Sequence, residues 1–257
     1  MTDSPSAEGA IVVVGAAGGL GGAIAKRLAA DRPGAPLWIT YRGRPELAET
    51  VAAEIHGART FRCDLQSLDD MRALADEVRG EAGSVATLVH AAVEVVTGSA
   101  VEMGFEAVSR VVRSSGLALL GLVECCDDLL GEGSTVLYVT SVGSTLAIPS
   151  YTAIGTAKAC GEALVRYLAS ELAPRGIRVN AISPPPFVSQ AAADVVGDVA
   201  ALMAATDAAT PRGRHLELEE VADLAAYLAE PRSSGITGQV IFVDGAIFSQ
   251  LRLGPSR

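Results

Sequence analysis

The sequence predicts an α/β fold, a doubly wound seven-stranded parallel sheet flanked by helices. Three observations predict it. Short β-branched runs alternate with longer Ala/Leu-rich segments along all 257 residues. The first run, Ile11-Val12-Val13-Val14, is apolar at every position, as a strand buried on both faces must be. That run leads into a glycine-rich turn and then a helical pattern. Regular alternation of strand and helix implies right-handed crossovers that place helices on both faces of a parallel sheet.

In chain order, the strands are expected at Ile11–Gly15, Leu37–Tyr41, Thr60–Cys63, Thr87–His90, Thr135–Thr140, Arg178–Ile182 and Val240–Val243. Each is short and rich in Val, Ile, Thr or aromatic residues. The helices are expected at Gly19–Ala30, Pro45–Ile55, Leu68–Arg79, Phe105–Leu130, Ser150–Leu172 and Leu218–Ala229, where apolar residues recur at helical spacing. Ser183-Pro184-Pro185-Pro186 breaks the chain after a strand, at the carboxyl edge where such sheets bind ligands. The Ala-rich segment 187–211 after it reads as a helical flap with little to hold it rigidly. Length and composition fit one domain over residues 10–248, with a flexible N-terminus (1–9) and a C-terminal tail (249–257).

A net charge of -10 argues against nucleic acid or an anionic membrane as partner. No apolar run reaches the length of a spanning helix, and the first residues lack a signal-peptide core, so a cytoplasmic protein is expected. Cys63, Cys125, Cys126 and Cys160 form no C-x-x-C and read as free thiols. His56, His90 and His215 are scattered, so no metal site is expected.

The turn Gly15-Ala16-Ala17-Gly18-Gly19-Leu20-Gly21-Gly22 suits a pyrophosphate. Glycine lets the backbone approach the phosphates, and the helix N-terminus offers free N–H groups at the positive end of its dipole. Gly15, Gly19, Leu20 and Gly21 are the candidate cradle of a Rossmann-type dinucleotide site. The alternative is a plain structural turn. Arg42, after the second strand, stands where the adenosine ribose lies in such folds. With no acidic residue there before Glu46, it favours a 2′-phosphate and hence NADPH over NADH; the alternative is a solvated surface arginine. Asp64, after the third strand, could accept the adenine amine or cap the next helix.

Tyr151 and Lys158 stand seven positions apart, two helical turns, which predicts that both side chains lie on nearly one face. A cation near a phenol strengthens it as a donor. Lysine is rare in this chain, which has only Lys26 and Lys158 against eighteen arginines.

Together these features resemble the short-chain dehydrogenase/reductase family over about residues 10–248. The glycine turn matches its nucleotide motif, with Val14 in place of the usual Thr. Asp64-Leu65 matches its adenine-contacting pair. Arg178-Val179-Asn180-Ala181-Ile182-Ser183-Pro184, Thr237-Gly238-Gln239 and Val243-Asp244-Gly245 match its later strands. His90-Ala91-Ala92-Val93 departs from the family's Asn-Asn-Ala-Gly, and the resemblance places Ala91 and Ala92 beside the cofactor. Most of the family sets Tyr four positions before Lys; that position here is Ile154. The Y-x6-K spacing, with Ala147-Ile148-Pro149-Ser150 before it, looks like the enoyl-acyl carrier protein reductase branch. The usual catalytic Asn is replaced by the Arg113-Ser114-Ser115-Gly116 region, and Ser141 stands where carbonyl-reducing members keep a catalytic Ser.

The resemblance implies Tyr151, Lys158 and Ser141 as catalytic residues, with Lys158 also on the nicotinamide ribose. It implies Phe187 beside the nicotinamide and Ser189 near the carboxamide or pyrophosphate. The implied reaction is NADPH-dependent reduction of the C=C bond of an α,β-unsaturated acyl thioester, carried on acyl carrier protein or CoA, in fatty acid or polyketide-type metabolism. A homo-oligomer, a tetramer as in relatives, is also implied. The alternatives are a ketoreductase and a nucleotide-binding protein without turnover.

Overall fold

The computed structural model describes residues 9–188, 193–195 and 197–249. Its sheet has seven strands in the order β3-β2-β1-β4-β5-β6-β7, and all six pairings are parallel. The strands are β1 (Ala10–Val14), β2 (Leu37–Tyr41), β3 (Ala58–Arg62), β4 (Val85–His90), β5 (Leu130–Val139), β6 (Arg178–Ser183) and β7 (Val240–Phe242). The Rossmann-type expectation is met, including the reversal of strand order between β1 and β4 that opens a crevice at the carboxyl edge.

Side-chain alternation explains why the strands read as continuous apolar runs. Ala10, Val12 and Val14 face one layer, formed by α3 (Leu68–Ala82), α5 (Ala118–Cys125) and α6 (Thr152–Leu172). Ile11 and Val13 face the other, formed by α1 (Gly19–Asp31), α2 (Pro45–Ala53) and α8 (Leu218–Ala229). Both faces are covered, so neither set of side chains can be polar. Between β6 and α8 lies α7 (Val199–Ala209), within the expected flap. Met203 and Thr206 are buried, and the His215 amide and ring both bond Asp207 Oδ1. The flap is therefore tied down at its C-terminal end, against the expectation of a loosely held segment.

One expected helix is broken. The segment Phe105–Leu130 resolves into α4 (Ala100–Val112), a π-helical turn at Arg113–Leu117, and α5; Leu130 already belongs to β5. Packing gives the reason. A Cβ on Gly116 would lie 2.5 Å from the Ala157 carbonyl oxygen, so the turn and α6 meet backbone to backbone. Such single widened turns inserted between α-helical segments are rare and recur at functional sites. The remaining edges differ by a few residues, as frayed ends do.

Among the described residues, no helix is long and apolar enough to cross a membrane. No cluster of His, Cys, Asp and Glu there could hold a metal ion. All four cysteines are free, and burial raises each thiol above its usual range, so none is poised as a thiolate.

Candidate functional site

The site is built at the carboxyl edge, on both sides of the β1/β4 crevice. At the end of β1, Gly15 takes φ +85° and donates its N–H to Thr40 Oγ1 at 3.3 Å. A Cβ on Gly15 would sit 2.5 Å from Ala92 Cα, and one on Gly21 would sit 2.4 Å from the Gly15 carbonyl oxygen. At Gly15 and Gly21 any side chain would collide with backbone. Helix α1 then opens on Gly18 with no side-chain cap, which leaves the first-turn amides facing the crevice without a competing hydroxyl or carboxylate. Gly19 has a positive φ, and a side chain at Gly18 would meet nothing within 4 Å. A narrow backbone cradle beside open space fits a pyrophosphate. Across the crevice, the Ala91 N–H bonds the Val14 carbonyl at 2.8 Å, which brings Ala91 and Ala92 beside that turn.

Arg42 follows β2 and is more than half exposed. Its one charged contact among the described residues is a loose one of 3.7 Å to Glu94, which Arg110 and Ser114 hold more closely at 2.8 Å each. The guanidinium is therefore only lightly engaged at the position expected to meet the ribose. Asp64 does not cap the next helix. Ser67 caps α3, while Asp64 Oδ1 accepts from the Gln66 amide at 3.0 Å and its own N–H bonds Asp70. Leu65 is buried beneath this turn. Phe187 is buried among Val139, Ile182 and Leu216 at the end of β6. Ser189 lies outside the described residues.

Tyr151 requires a correction. It is the N-cap of α6 (φ −111°, ψ 10°), so the helix begins at Thr152 and the phenol is not set by helical phase alone. Three local features aim it instead. Ser150 has a positive φ, which turns the chain; Tyr151 bridges Gly98 in strand fashion; and its ring lies against Gly143, where a Cβ would be 2.6 Å from Cε1. The Tyr151 hydroxyl reaches Ser141 Oγ at 3.4 Å, a long contact of the kind that tightens when substrate binds. Burial raises the phenol above its usual range, opposed by the Ser141 hydroxyl, so it stays protonated and able to donate at neutral pH. A cavity of about 370 Å³ opens beside it, lined by Gly143 to Ile148 of the preceding loop and by Thr152, Gly155, Thr156 and Ala159 of α6.

Lys158 is buried at 4 % exposure and donates to the Val139 carbonyl oxygen at 2.7 Å. The expected electrostatic support of the phenol by Lys158 is not seen, since burial and the Ser141 hydroxyl alone set the direction of the Tyr151 shift. Burial lowers the ammonium to about 7, opposed by the charge of Glu162 one turn on. Glu162 is itself buried and accepts from Thr140 Oγ1 at 2.6 Å.

Sequence reasoning missed the ground beneath this pair. Tyr138 on β5 lies with its ring 4.9 Å from Lys158 Nζ and meets the edge of His90 at 5.4 Å between centroids. Both His90 ring nitrogens are buried without a partner, and burial first, then the Lys158 charge, lowers the imidazole to about 3. The available signal was Gly161, a glycine inside an Ala-rich helix; a Cβ there would lie 2.2 Å from the Tyr138 ring.

Three comparisons bear on this geometry. A family model described as Enoyl-(Acyl carrier protein) reductase matches residues 15–246. The enoyl-acyl-carrier-protein reductase (NADH) FabI of Escherichia coli is 34% identical over 248 residues, 91% of this chain and 92% of the relative. The corresponding reductase (NADH) 2 of Rhizobium meliloti is 33% identical over 227 residues, 86% and 84% of the two chains. The crystal structure of the Bacillus cereus enoyl-acyl carrier protein reductase with NADP+ and indole naphthyridinone superimposes with a TM-score of 0.87 at 28% identity, covering 95% of this chain and 98% of that one.

His90 sets an acid limit. It is neutral in the fold down to about pH 3, while in the unfolded chain it takes a proton near 6.5. The unfolded state therefore binds more protons between those values, and stability falls as pH drops below 6.5, by at most about 1.4 kcal/mol per unit. Urea denaturation from pH 7 to 4 should show this slope, and His90→Phe should reduce it by one proton; an unchanged slope in the variant would assign the loss to other groups.

Proposed function

The chain belongs to the enoyl-acyl carrier protein reductase branch of the short-chain dehydrogenase/reductases, and from that premise we propose that it reduces the C=C bond of an α,β-unsaturated acyl thioester with NADPH. The observation that carries this reading is a protonated phenol, Tyr151, fixed at the carboxyl edge between Ser141 and a cavity of about 370 Å³.

Gly15, Gly19, Leu20 and Gly21 would hold the pyrophosphate, Asp64 and Leu65 the adenine, and Ala91, Ala92 and Phe187 the remaining walls of the crevice. Lys158 would bind the nicotinamide ribose hydroxyls. The bound nicotinamide supplies a hydride to the β-carbon. Negative charge would then gather on the thioester oxygen, where Tyr151 Oη would donate a hydrogen bond, and the enolate would collapse as its α-carbon takes a proton from solvent, giving the saturated thioester. Ser141 holds the phenol in place. A donor aimed at charge that exists only in the transition state lowers the barrier more than it tightens ground-state binding. Lys158, 4 % exposed and bonded to a strand carbonyl, has its nitrogen held at a fixed point where the ribose would lie, and cofactor binding should weaken as pH rises through about 7 and the ammonium loses its proton.

The preference for NADPH rests on Arg42, whose guanidinium is largely exposed and only loosely paired. The Escherichia coli and Rhizobium relatives carry NADH in their names, whereas the Bacillus structure holds NADP+. The acyl group would arrive on acyl carrier protein or CoA, in fatty acid or polyketide-type metabolism within the cytoplasm. Residues 10–248 would act as one domain. The outer faces of α4, the π-helical turn, α5 and α6 expose Phe105, Leu117, Leu120 and Tyr167 in that order, which supports a homo-oligomer, of which a tetramer is the expected form.

Tyr151→Phe should lower turnover on crotonyl thioester by about 10²-fold or more. If crotonyl thioester is inert with the wild type while acetoacetyl thioester is reduced, the chain is a ketoreductase. Arg42→Ser should raise KM for NADPH by roughly tenfold while leaving NADH little changed, as loss of a charge-assisted phosphate contact implies; equal effects on both cofactors would remove the 2′-phosphate assignment. Light scattering of the purified chain should give the mass of an oligomer, and a monomer would leave those apolar faces unexplained.

A further inference from the structure

Tyr138 belongs to no part of the mechanism above, yet it is among the largest side chains that are fully buried. It does three things at once. Its ring face carries the Lys158 ammonium at 4.9 Å. Its hydroxyl donates to the Ser115 carbonyl at 2.6 Å, inside the π-helical turn. Its ring fills the space left by Gly161, three residues after Lys158 on α6. The strand, the turn and the helix therefore meet on one aromatic side chain.

A buried ammonium needs compensation on every side. Lys158 has the Val139 carbonyl as its hydrogen-bond acceptor and Glu162 as its countercharge. The other titratable groups near it are His90 on β4 and Tyr138 on β5, and the Tyr138 ring is in turn within reach of Tyr151 at the start of α6 and Cys160 on α6. His90 is neutral at physiological pH and offers no anion. Tyr138 and Tyr151 are both raised by burial and stay protonated. The remaining surface that can favour a cation is the electron-rich ring face, whose attraction is strongest where water is excluded.

We propose that Tyr138 is the positioning residue of this site: its ring face seats the Lys158 ammonium, and Gly161 exists to admit that ring. The inference deepens the proposed function, since it rests on Lys158 serving the cofactor. Its test does not require turnover. The chain has only two lysines, so lysine labelled with ¹⁵N at the side chain yields two ammonium resonances, those of Lys26 and Lys158. Their titration by nuclear magnetic resonance reads Lys158 directly, without cofactor or substrate.

Tyr138→Phe keeps the ring and loses the hydroxyl; it should leave the Lys158 midpoint within a few tenths of a unit. Phenylalanine with increasing fluorine substitution at the same position keeps the shape and drains the ring face. It should lower the midpoint stepwise, by about one unit at full fluorination, a tenfold loss in proton affinity. The alkaline limb of NADPH binding, followed by fluorescence, should move to lower pH in the same order. Thermal melting of each variant confirms that the fold persists, and the near-identical shape of the fluorinated rings keeps the series informative even if Tyr138→Leu unfolds. A midpoint indifferent to fluorination overturns the proposal, and so does a Phe variant as shifted as the fluorinated ones, which would place the effect in the hydroxyl. If fluorination shifts Lys158 but no thioester is reduced by the wild type, the positioning role stands and the substrate assignment falls.

Discussion

The structure depends on one buried charge. Lys158 donates to the Val139 carbonyl at the last residue of β5, and this contact fixes α6 against the sheet at the point where the crevice opens. Stripping an ammonium of water costs several kcal/mol, and the surroundings return only part of it, since burial still lowers Lys158 to about 7. They do so with a carbonyl, the Glu162 carboxylate and an aromatic face. Glu162 is in turn held by Thr140, one residue past β5. The end of one strand thus supplies the acceptor, the ring and the hydroxyl that anchors the countercharge, within three consecutive residues. Burial of this kind serves geometry better than stability. A solvated lysine would sweep a wide arc, whereas this one has a single place to stand.

Around that point, the sheet distributes the remaining chemistry by strand order. β1 ends in the glycine cradle, β4 in Ala91 and Ala92, β5 in Ser141, and β6 in the proline cluster with Phe187. Because all seven strands are parallel, every one of these ends faces the same edge. No loop has to reach far, and short connections keep the parts rigid. The cradle shows how closely this is built. Gly15 lies against Ala92 and Gly21 lies over Gly15, so backbone packs on backbone and leaves room only for a slender polar ligand.

The fold was legible because its signals are local and repeated. β2 and α8 fall where the pattern sets them, and the glycine turn sits between strand and helix as its spacing implies. What was hidden depended on contacts between distant segments. The break at Arg113–Leu117 has no proline to announce it; it follows from Gly116 meeting Ala157. Tyr151 and Lys158 were found by spacing, but the reason given for the spacing was incomplete. The phenol is the helix cap, steered by Ser150, Gly98 and Gly143, none of which belongs to the Y-x6-K pattern. Asp64 offered two roles, and the choice of Ser67 as cap removed one of them. Tyr138 reads in sequence as an ordinary strand aromatic, and only its partner Gly161 hints otherwise.

That partnership bears on how such a site can change. A ring at position 138 requires glycine at 161, since a Cβ there would lie 2.2 Å from the ring. Glycine inside a helix costs about 1 kcal/mol relative to alanine. The chain therefore accepts a weaker helix in order to place an aromatic face under its catalytic-edge lysine. The hydroxyl of the same ring satisfies the Ser115 carbonyl, a group that the π-helical turn would otherwise leave with a poorer partner. Substituting either residue alone creates a void or a collision, so the two positions form one unit. Lysine, tyrosine and glycine here are a single structural device spread over β5 and α6, and the Asn-lacking turn at Arg113–Leu117 is fastened by it.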